Sequence, residues 1–337
     1  MLNQVELKNF GPLVNLTWRG IGPINLVIGG NGSGKTFLLK ALYSAMRTIE
    51  EYRRGDDQKS AAEILAEKLY WTFQPDIIGD LVTKGSDGPL ACTVEFDQHK
   101  FFYSFGKDTT KQISLLENDV PARSSNSIFL PAKEVLSLHQ IILKSREQDK
   151  VFGFDDTYLD LARALRQQPT KGRNFKGFAE SRQKVERILG GRVQFDDASG
   201  RWQFKKGNQK FPVGVTAEGV KKIAILDTLL GNRFLDQQSI VFIDEPESAL
   251  HPTAVYQFLD IVAILASAGI QFFMASHSYF VVKKLCLIAQ KQGLSIPFIS
   301  AQGNEWVSAN LREGMPENTI INESIRLYKE EVELAFQ

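Results

Sequence analysis

Residues Ile24–Thr36 read INLVIGGNGSGKT: an apolar run, a glycine-rich turn directly after it, then from Thr36 a change to helical spacing carried by Phe37, Leu38, Ala41, Leu42 and Met46. The run predicts a strand buried on both faces of a sheet. The turn, Gly29 to Thr36, satisfies G-x-x-x-x-G-K-[ST] in the strand-then-helix context that the pattern requires. Glycines let the backbone N–H groups of Gly32–Thr36 converge on one anion, and the helix that follows presents its positive end to it. Gly29, Asn31, Gly32, Ser33, Gly34, Lys35 and Thr36 are therefore candidate ATP-binding residues, with Lys35 on the β- and γ-phosphates and the Thr36 hydroxyl on Mg²⁺. A strand–helix turn that is glycine-rich for its geometry alone is the weaker alternative.

Outward from this loop, 337 residues, 43% hydrophobic and 23% charged, allow one large α/β domain or two modest ones and exclude disorder and coiled-coil rods. A net charge of +1 excludes bulk polyanion binding, so any electrostatic preference must be local. Cys92 and Cys286 are the only cysteines and stand in no metal-ligand spacing, which argues against a disulfide framework or zinc site and for a reducing compartment. Neither a secretory leader nor a membrane-length apolar run is readable, so a cytoplasmic location and no membrane partner are expected.

Further along, helix 61–73 is followed by short alternating strands over 90–117 (ACTVEF, KFFYSF, QISLL), read as an antiparallel meander, and by strand SIFL. Helices are expected at 132–146, 156–166 and 178–189, the last stopped by Gly190-Gly191, with hairpin strands RVQF and RWQF and then KFPVGV after it. A helix at 217–230, capped by Thr216 and closed by Gly231, leads into alternating strands and helices (239–244, 252–267, 271–276), which imply a parallel sheet.

A triphosphate with Mg²⁺ needs a second carboxylate at a neighbouring strand end, and SIVFIDEPE supplies Asp244, with Glu245 next to it to polarise water. Ordinary acids favoured by a helix dipole are the competing explanation for Asp244, Glu245 and Glu247. His277 follows the strand QFFMAS at what would be the same edge, where ligands of open α/β sheets bind. A hydrogen bond from His277 to the γ-phosphate or the attacking water would sense the nucleotide state. His99 and His139 invite only structural readings.

LKNFGPL, VIGGNGSGKT, VFIDEPESALHP and FMASHS, spread over residues 7–278, together resemble the ABC-type ATPase heads of the SMC, RecF and OLD-like group. The resemblance implies an α/β P-loop NTPase fold of ABC-ATPase type: a mostly parallel sheet flanked by helices, with an antiparallel β subdomain and a helical insertion. It makes Lys35 and Thr36 the Walker A pair, Asp244 Walker B, Glu245 the catalytic base and His277 the switch histidine, and it likens Ser248–His251 to the loop that crosses to the opposite protomer. The family's LSGGQ-like segment falls on Thr216–Val220, where Gly219 fits but Ala217 replaces the usual serine, leaving Thr216, backbone N–H groups or Lys221 for contact in trans. No Q-loop glutamine is assigned; Gln74 precedes the meander, and LPAKEV lies nearer the expected place but has no glutamine.

The expected division is lobe I at 1–139, a basic insertion at 140–212, and lobe II at 213–337. The insertion is too short and too broken by Pro169, Gly172 and Gly190 for coiled-coil arms. Residues 163–210 hold thirteen Lys/Arg against four acids, with Phe175, Phe178 and Trp202 interleaved, a pattern that suggests phosphate contact with base stacking or an acidic protein partner. The expectation is a slow ATPase that pairs head to head as a homodimer or higher even oligomer and acts on DNA or on a partner effector. A nucleotide-gated scaffold holding a separately encoded nuclease or toxin, as in phage defence, is the alternative.

Overall fold

The computed structural model describes residues 1–337 except 57–58, 169–175, 304 and 336–337, and of residues 176, 177, 180 and 184 the backbone only. The chain opens with β1 (Leu2–Phe10), β2 (Leu13–Trp18), β3 (Ile24–Ile28), α1 (Lys35–Glu51) and α2 (Ala61–Phe73). Next come β4 (Leu90–Phe96), β5 (His99–Phe105), β6 (Leu115–Asn118), β7 (Ser127–Leu130), α3 (His139–Leu143), α4 (Asp156–Arg166) and α5 (Lys176–Leu189). A small sheet, β8 (Arg192–Asp196), β9 (Arg201–Lys206) and β10 (Gln209–Pro212), precedes α6 (Glu218–Gly231) and β11 (Ile240–Asp244). The remainder is α7 (Pro252–Ser267), β12 (Gln271–Ser276), α8 (Tyr279–Gln292), β13 (Pro297–Gln302), β14 (Glu305–Asn310) and α9 (Thr319–Ala335).

The central sheet has the order β14-β13-β3-β12-β11-β7, parallel except for the edge strand β14. Strands β3, β7, β11 and β12 are buried along their whole length because both faces are covered, and alternate side chains enter different cores. Val241, Ile243, Phe272 and Met274 join the core under α6, α7 and α8, whereas Ile240, Phe242, Phe273 and Ala275 join the core under α1. Across that second core lies an antiparallel sheet, β2-β1-β4-β5-β6.

The predicted P-loop NTPase architecture is present, with local corrections. Strand β2 was not predicted; it pairs back onto β1 through Gly11-Pro12, where Gly11 has φ +53 and a Cβ would lie 2.4 Å from Phe37 Cζ. Gly11 thus seats the hairpin on the ring that follows Thr36, and Phe37 packs edge-on to Phe10 at 5.2 Å. The meander's third strand lies at 115–118 rather than over QISLL. The helix expected at 132–146 starts only at His139 and ends in one π-helical turn, 144–148. After Pro131 the Glu134 carboxylate accepts the Ser137 N–H, a local turn that competes with helix, while Val135 and Leu136 are drawn into the core.

Thr216 does not cap α6. The N-cap is Ala217, without a side-chain bond, and the Thr216 hydroxyl reaches the Pro212 carbonyl at 3.5 Å. Gly231 is inside the last turn rather than beyond it; a Cβ there would come 2.9 Å from the Arg182 guanidinium, which pairs with Asp227. The interleaved aromatics face inward: Phe178 is 2% and Trp202 4% exposed, so neither is a stacking platform. Phe175, Lys171 and Arg173, like Pro169 and Gly172, lie outside the described residues.

Candidate nucleotide site

Parallel pairing fixes the site before any side chain is placed. Asp244 pairs with Ala275 and Ala275 with Val27, so β3, β11 and β12 finish at one rim. Two hundred residues of intervening chain are thereby reduced to two strand spacings. There the Thr36 hydroxyl meets both Asp244 carboxylate oxygens at 3.0 Å, and the Lys35 ammonium donates to the carbonyls of Gly29 and Gly30 at 2.8 Å. Gly34, φ +90, lies so close to the β1–β2 turn that a Cβ would stand 3.0 Å from Leu13 and 3.1 Å from Pro12. The Ser33 hydroxyl is buried with no partner among the described residues.

Asn31, Gly32, Ser33, Gly34, Lys35 and Thr36 line an open cleft of about 510 Å³, closed by Phe37, Lys40, Phe73, Leu81 and Glu245. Phe73 packs on Phe37 at 4.5 Å and makes one wall apolar. Lys40, also in the lining, pairs with Asp155, the N-cap of α4, at 2.6 Å.

Glu245 adopts φ +47, its N–H donates to Ala275 O at 2.9 Å, and its carbonyl accepts the Lys222 ammonium of α6 at 2.6 Å. This turns the Glu245 side chain to the rim, 3.3 Å from His277 Nδ1. Glu247, which sequence reasoning left as an ordinary strand-end acid, organises the pair: its Oε1 accepts from Ser276 Oγ at 2.8 Å and from the His277 N–H at 3.2 Å. Its one sequence signal was the third acid in DEPE. Ala249 takes φ +58 in the loop before α7, and His251 caps that helix by accepting the Thr253 N–H at 3.3 Å.

The charges are held under tension. Burial pushes the Lys35 ammonium below its ordinary range although Glu245, Asp244 and Glu247 oppose the shift. Burial raises the Asp244 carboxyl, with the Thr36 hydroxyl acting the other way. Lys222 is lowered by burial to about 8 against the same three acids. A buried carboxylate beside a hydroxyl, on a rim short of positive charge, is a hard-oxygen pair that fits Mg²⁺, which typically takes one or two protein ligands and completes its shell with phosphate and water. Among the described residues no group of three or more His, Cys, Asp or Glu forms a metal cage.

Thr216 and Gly219 do not line this cleft; they sit at the start of α6, where a Cβ on Gly219 would lie 3.2 Å from Leu250 Cδ2. Gln74 caps α2 and bonds to Phe154 O and the Gly153 N–H, which ties α2 to the loop before α4. His139 is buried, its Nε2 3.0 Å from Ala162 O, the structural role expected of it.

Residues 24–283 match the AAA_21 model, described as an AAA domain, putative AbiEii toxin, type IV TA system. The chain belongs to the AAA_21 family. No curated protein matches the sequence. Among solved structures, an SMC head bound to the C-terminal winged-helix domain of ScpA is similar with TM-score 0.55 and 14% identity, over 93% of this chain and 98% of that one. The Pyrococcus furiosus SMC head with an extended coiled coil, bound to the C-terminal domain of ScpA, gives TM-score 0.50 and 13% identity over 96% and 99%. At such identities the likeness shows the fold alone: that of an SMC-like, ABC-type ATPase head. Among the described residues no helix is long and apolar enough to cross a membrane.

Proposed function

We propose that this AAA_21 protein binds ATP with Mg²⁺ at the rim of β3, β11 and β12, hydrolyses it slowly, and pairs head to head while ATP is bound. The observation that carries this reading is the contact of Thr36 with Asp244 beside Lys35 and Glu245. Thr36 and Asp244 would hold Mg²⁺, which when bound neutralises charge on the β- and γ-phosphates. Lys35 exchanges its loop carbonyls for phosphate oxygens, and Gly29 to Gly34 supply the backbone cradle. Glu245 orients water and accepts its proton, while His277, held by Glu247, reports through Glu245 whether the γ-phosphate is present. Gly219 and Thr216 face the nucleotide of the second head, so that the paired state controls nucleic acid or a nuclease- or toxin-type effector in the cytoplasm.

Glu245→Gln should keep ATP affinity within about threefold, lower turnover by about 10²–10⁴ and accumulate dimer on a sizing column with ATP. Absence of heat in calorimetry with ATP and Mg²⁺ would overturn the reading altogether. A second reading, a nucleotide-gated scaffold with negligible turnover, draws on the start of α6. Ala217 brings no hydroxyl there and Thr216 turns its own toward Pro212. Tight ATP binding by the wild type without measurable phosphate release selects it.

A further inference from the structure

The small sheet β8–β10 buries one face and exposes the other. Val193, Trp202 and Phe204 enter the core. On the exposed face Arg192 pairs with Lys205, and Lys205 with Lys210, so three cations stand side by side across three strands. Like charges directly opposite destabilise a sheet. Arg192 is matched by Glu186 at 2.6 Å, but for Lys205, Lys210 and the neighbouring Arg201, all exposed, no ion pair occurs among the described residues. The acid beside them, Asp196, stands opposite Arg201 in register and feels the Lys210 charge, but its carboxylate accepts from Ser199 and Gln203 and from neither cation. Packing gives no reason for this row.

We propose that the exposed face of β8–β10 binds nucleic acid through its phosphate backbone, duplex included, without base stacking. Strands ~4.8 Å apart make the row about 10 Å long, enough to meet two or more successive phosphates of one duplex strand, whose charges rise ~3.4 Å each along the helix axis and stand farther apart than that along the winding backbone. Gln194 and Gln203, paired with each other in the next row, add amide donors suited to phosphate and sugar oxygens. An acidic protein is the poorer occupant, because protein interfaces are anchored by apolar or aromatic side chains and the aromatics of this sheet, the 39% exposed Phe211 included, stand in rows on the face opposite the cations. The same placement leaves the cation face without an aromatic for stacking, which single-strand binders use. The assignment is independent of ATP turnover, so binding is measured without nucleotide.

The test is fluorescence anisotropy of the full chain with a mixed-sequence duplex of about 30 base pairs, titrated at several salt concentrations. The triple variant Arg201→Gln, Lys205→Gln, Lys210→Gln should bind about 10-fold or more weakly at low salt, with the slope of log K against log salt flattened by about 3. Its melting temperature should equal or exceed that of the wild type, since repulsion is relieved. A control, Lys111→Gln with Lys291→Gln, removes exposed charge elsewhere and should change affinity less than about twofold. Unchanged duplex binding in the triple variant overturns the proposal, as does an equal loss in the control. Binding of polyglutamate but not duplex by the wild type overturns it in favour of an acidic protein. A single-strand preference above about 10-fold removes the claim that stacking is absent.

Discussion

The rim of β3, β11 and β12 and the small sheet β8–β10 both carry polar residues on a folded core, yet they obey different constraints. At the rim each residue is fixed by atoms it must meet: Thr36 touches Asp244, Lys35 spans its own loop, and Gly34 holds φ +90 against the β1–β2 turn. On the exposed face of β8–β10 the charges touch little, and only their row and exposure matter. Chemistry set by contact is written in residue identity and spacing, whereas chemistry set by field is written in excess. Substitution should therefore be sharp at the first region and graded at the second.

The largest effect is expected at the rim. Asp244→Asn keeps the size and the Thr36 contact but removes the charge, and should lower phosphate release by at least about 10²-fold with the fold intact by circular dichroism. A loss below about fivefold would mean that the two regions do not differ in kind.

How much of this was readable follows the same division. The phosphate loop, the strand carrying Asp244 and the placement of His277 after β12 were legible, because a short motif and a buried parallel strand together leave one rim available. Glu247 was not, since its role depends on where Ser276 and the His277 N–H arrive in space. Burial within residues 163–210 was misread for a related reason: Trp202 and Phe178 alternate with charge along the chain, but sheet and helix geometry turns them into the core. Strand β2 escaped because its hairpin turn, Gly11-Pro12, is specified by Phe37 from a later element.

Also illegible was the buried ion network that joins α1 and α2 to α4. Asp160 of α4 accepts from Tyr43 at 2.7 Å, with Lys68 at 3.3 Å and Arg47 at 3.6 Å. Asp156 lies within 3.4 Å of Lys68 and within 2.8 Å of Arg146. Asp160→Asn strands buried cations of α1 and α2, and should cost about 3 kcal/mol in denaturant unfolding, the lower end for a broken buried pair because Glu50, Glu51 and Asp156 remain. Although burial opposes ionisation, the Lys68 and Arg47 charges depress Asp160 to about 2. A carboxyl held below its unfolded value of ~3.9 gives stability that is present above that pH and lost as pH falls toward the folded value. The wild type should therefore lose stability between about pH 4 and pH 2 faster than Asp160→Asn. Parallel acid curves would show that the Asp160 charge does not hold α4 to α1 and α2.

The smallest structural change separates two explanations of Gly219. A Cβ there meets the Leu250 Cδ2 at 3.2 Å, a flexible contact that needs to yield only a few tenths of an ångström, while alanine gains up to about 1 kcal/mol of helix propensity. Gly219→Ala should consequently leave the unfolding free energy within about 1 kcal/mol of wild type. If the backbone of this helix start approaches the nucleotide of a second head, the methyl group obstructs it, and ATP-dependent dimer formation in the Glu245→Gln background should weaken by about 10-fold, which is about 1.4 kcal/mol. If dimer formation is unchanged, the glycine serves only the close approach to Leu250. The start of α6 would then belong with the packed core rather than with the site.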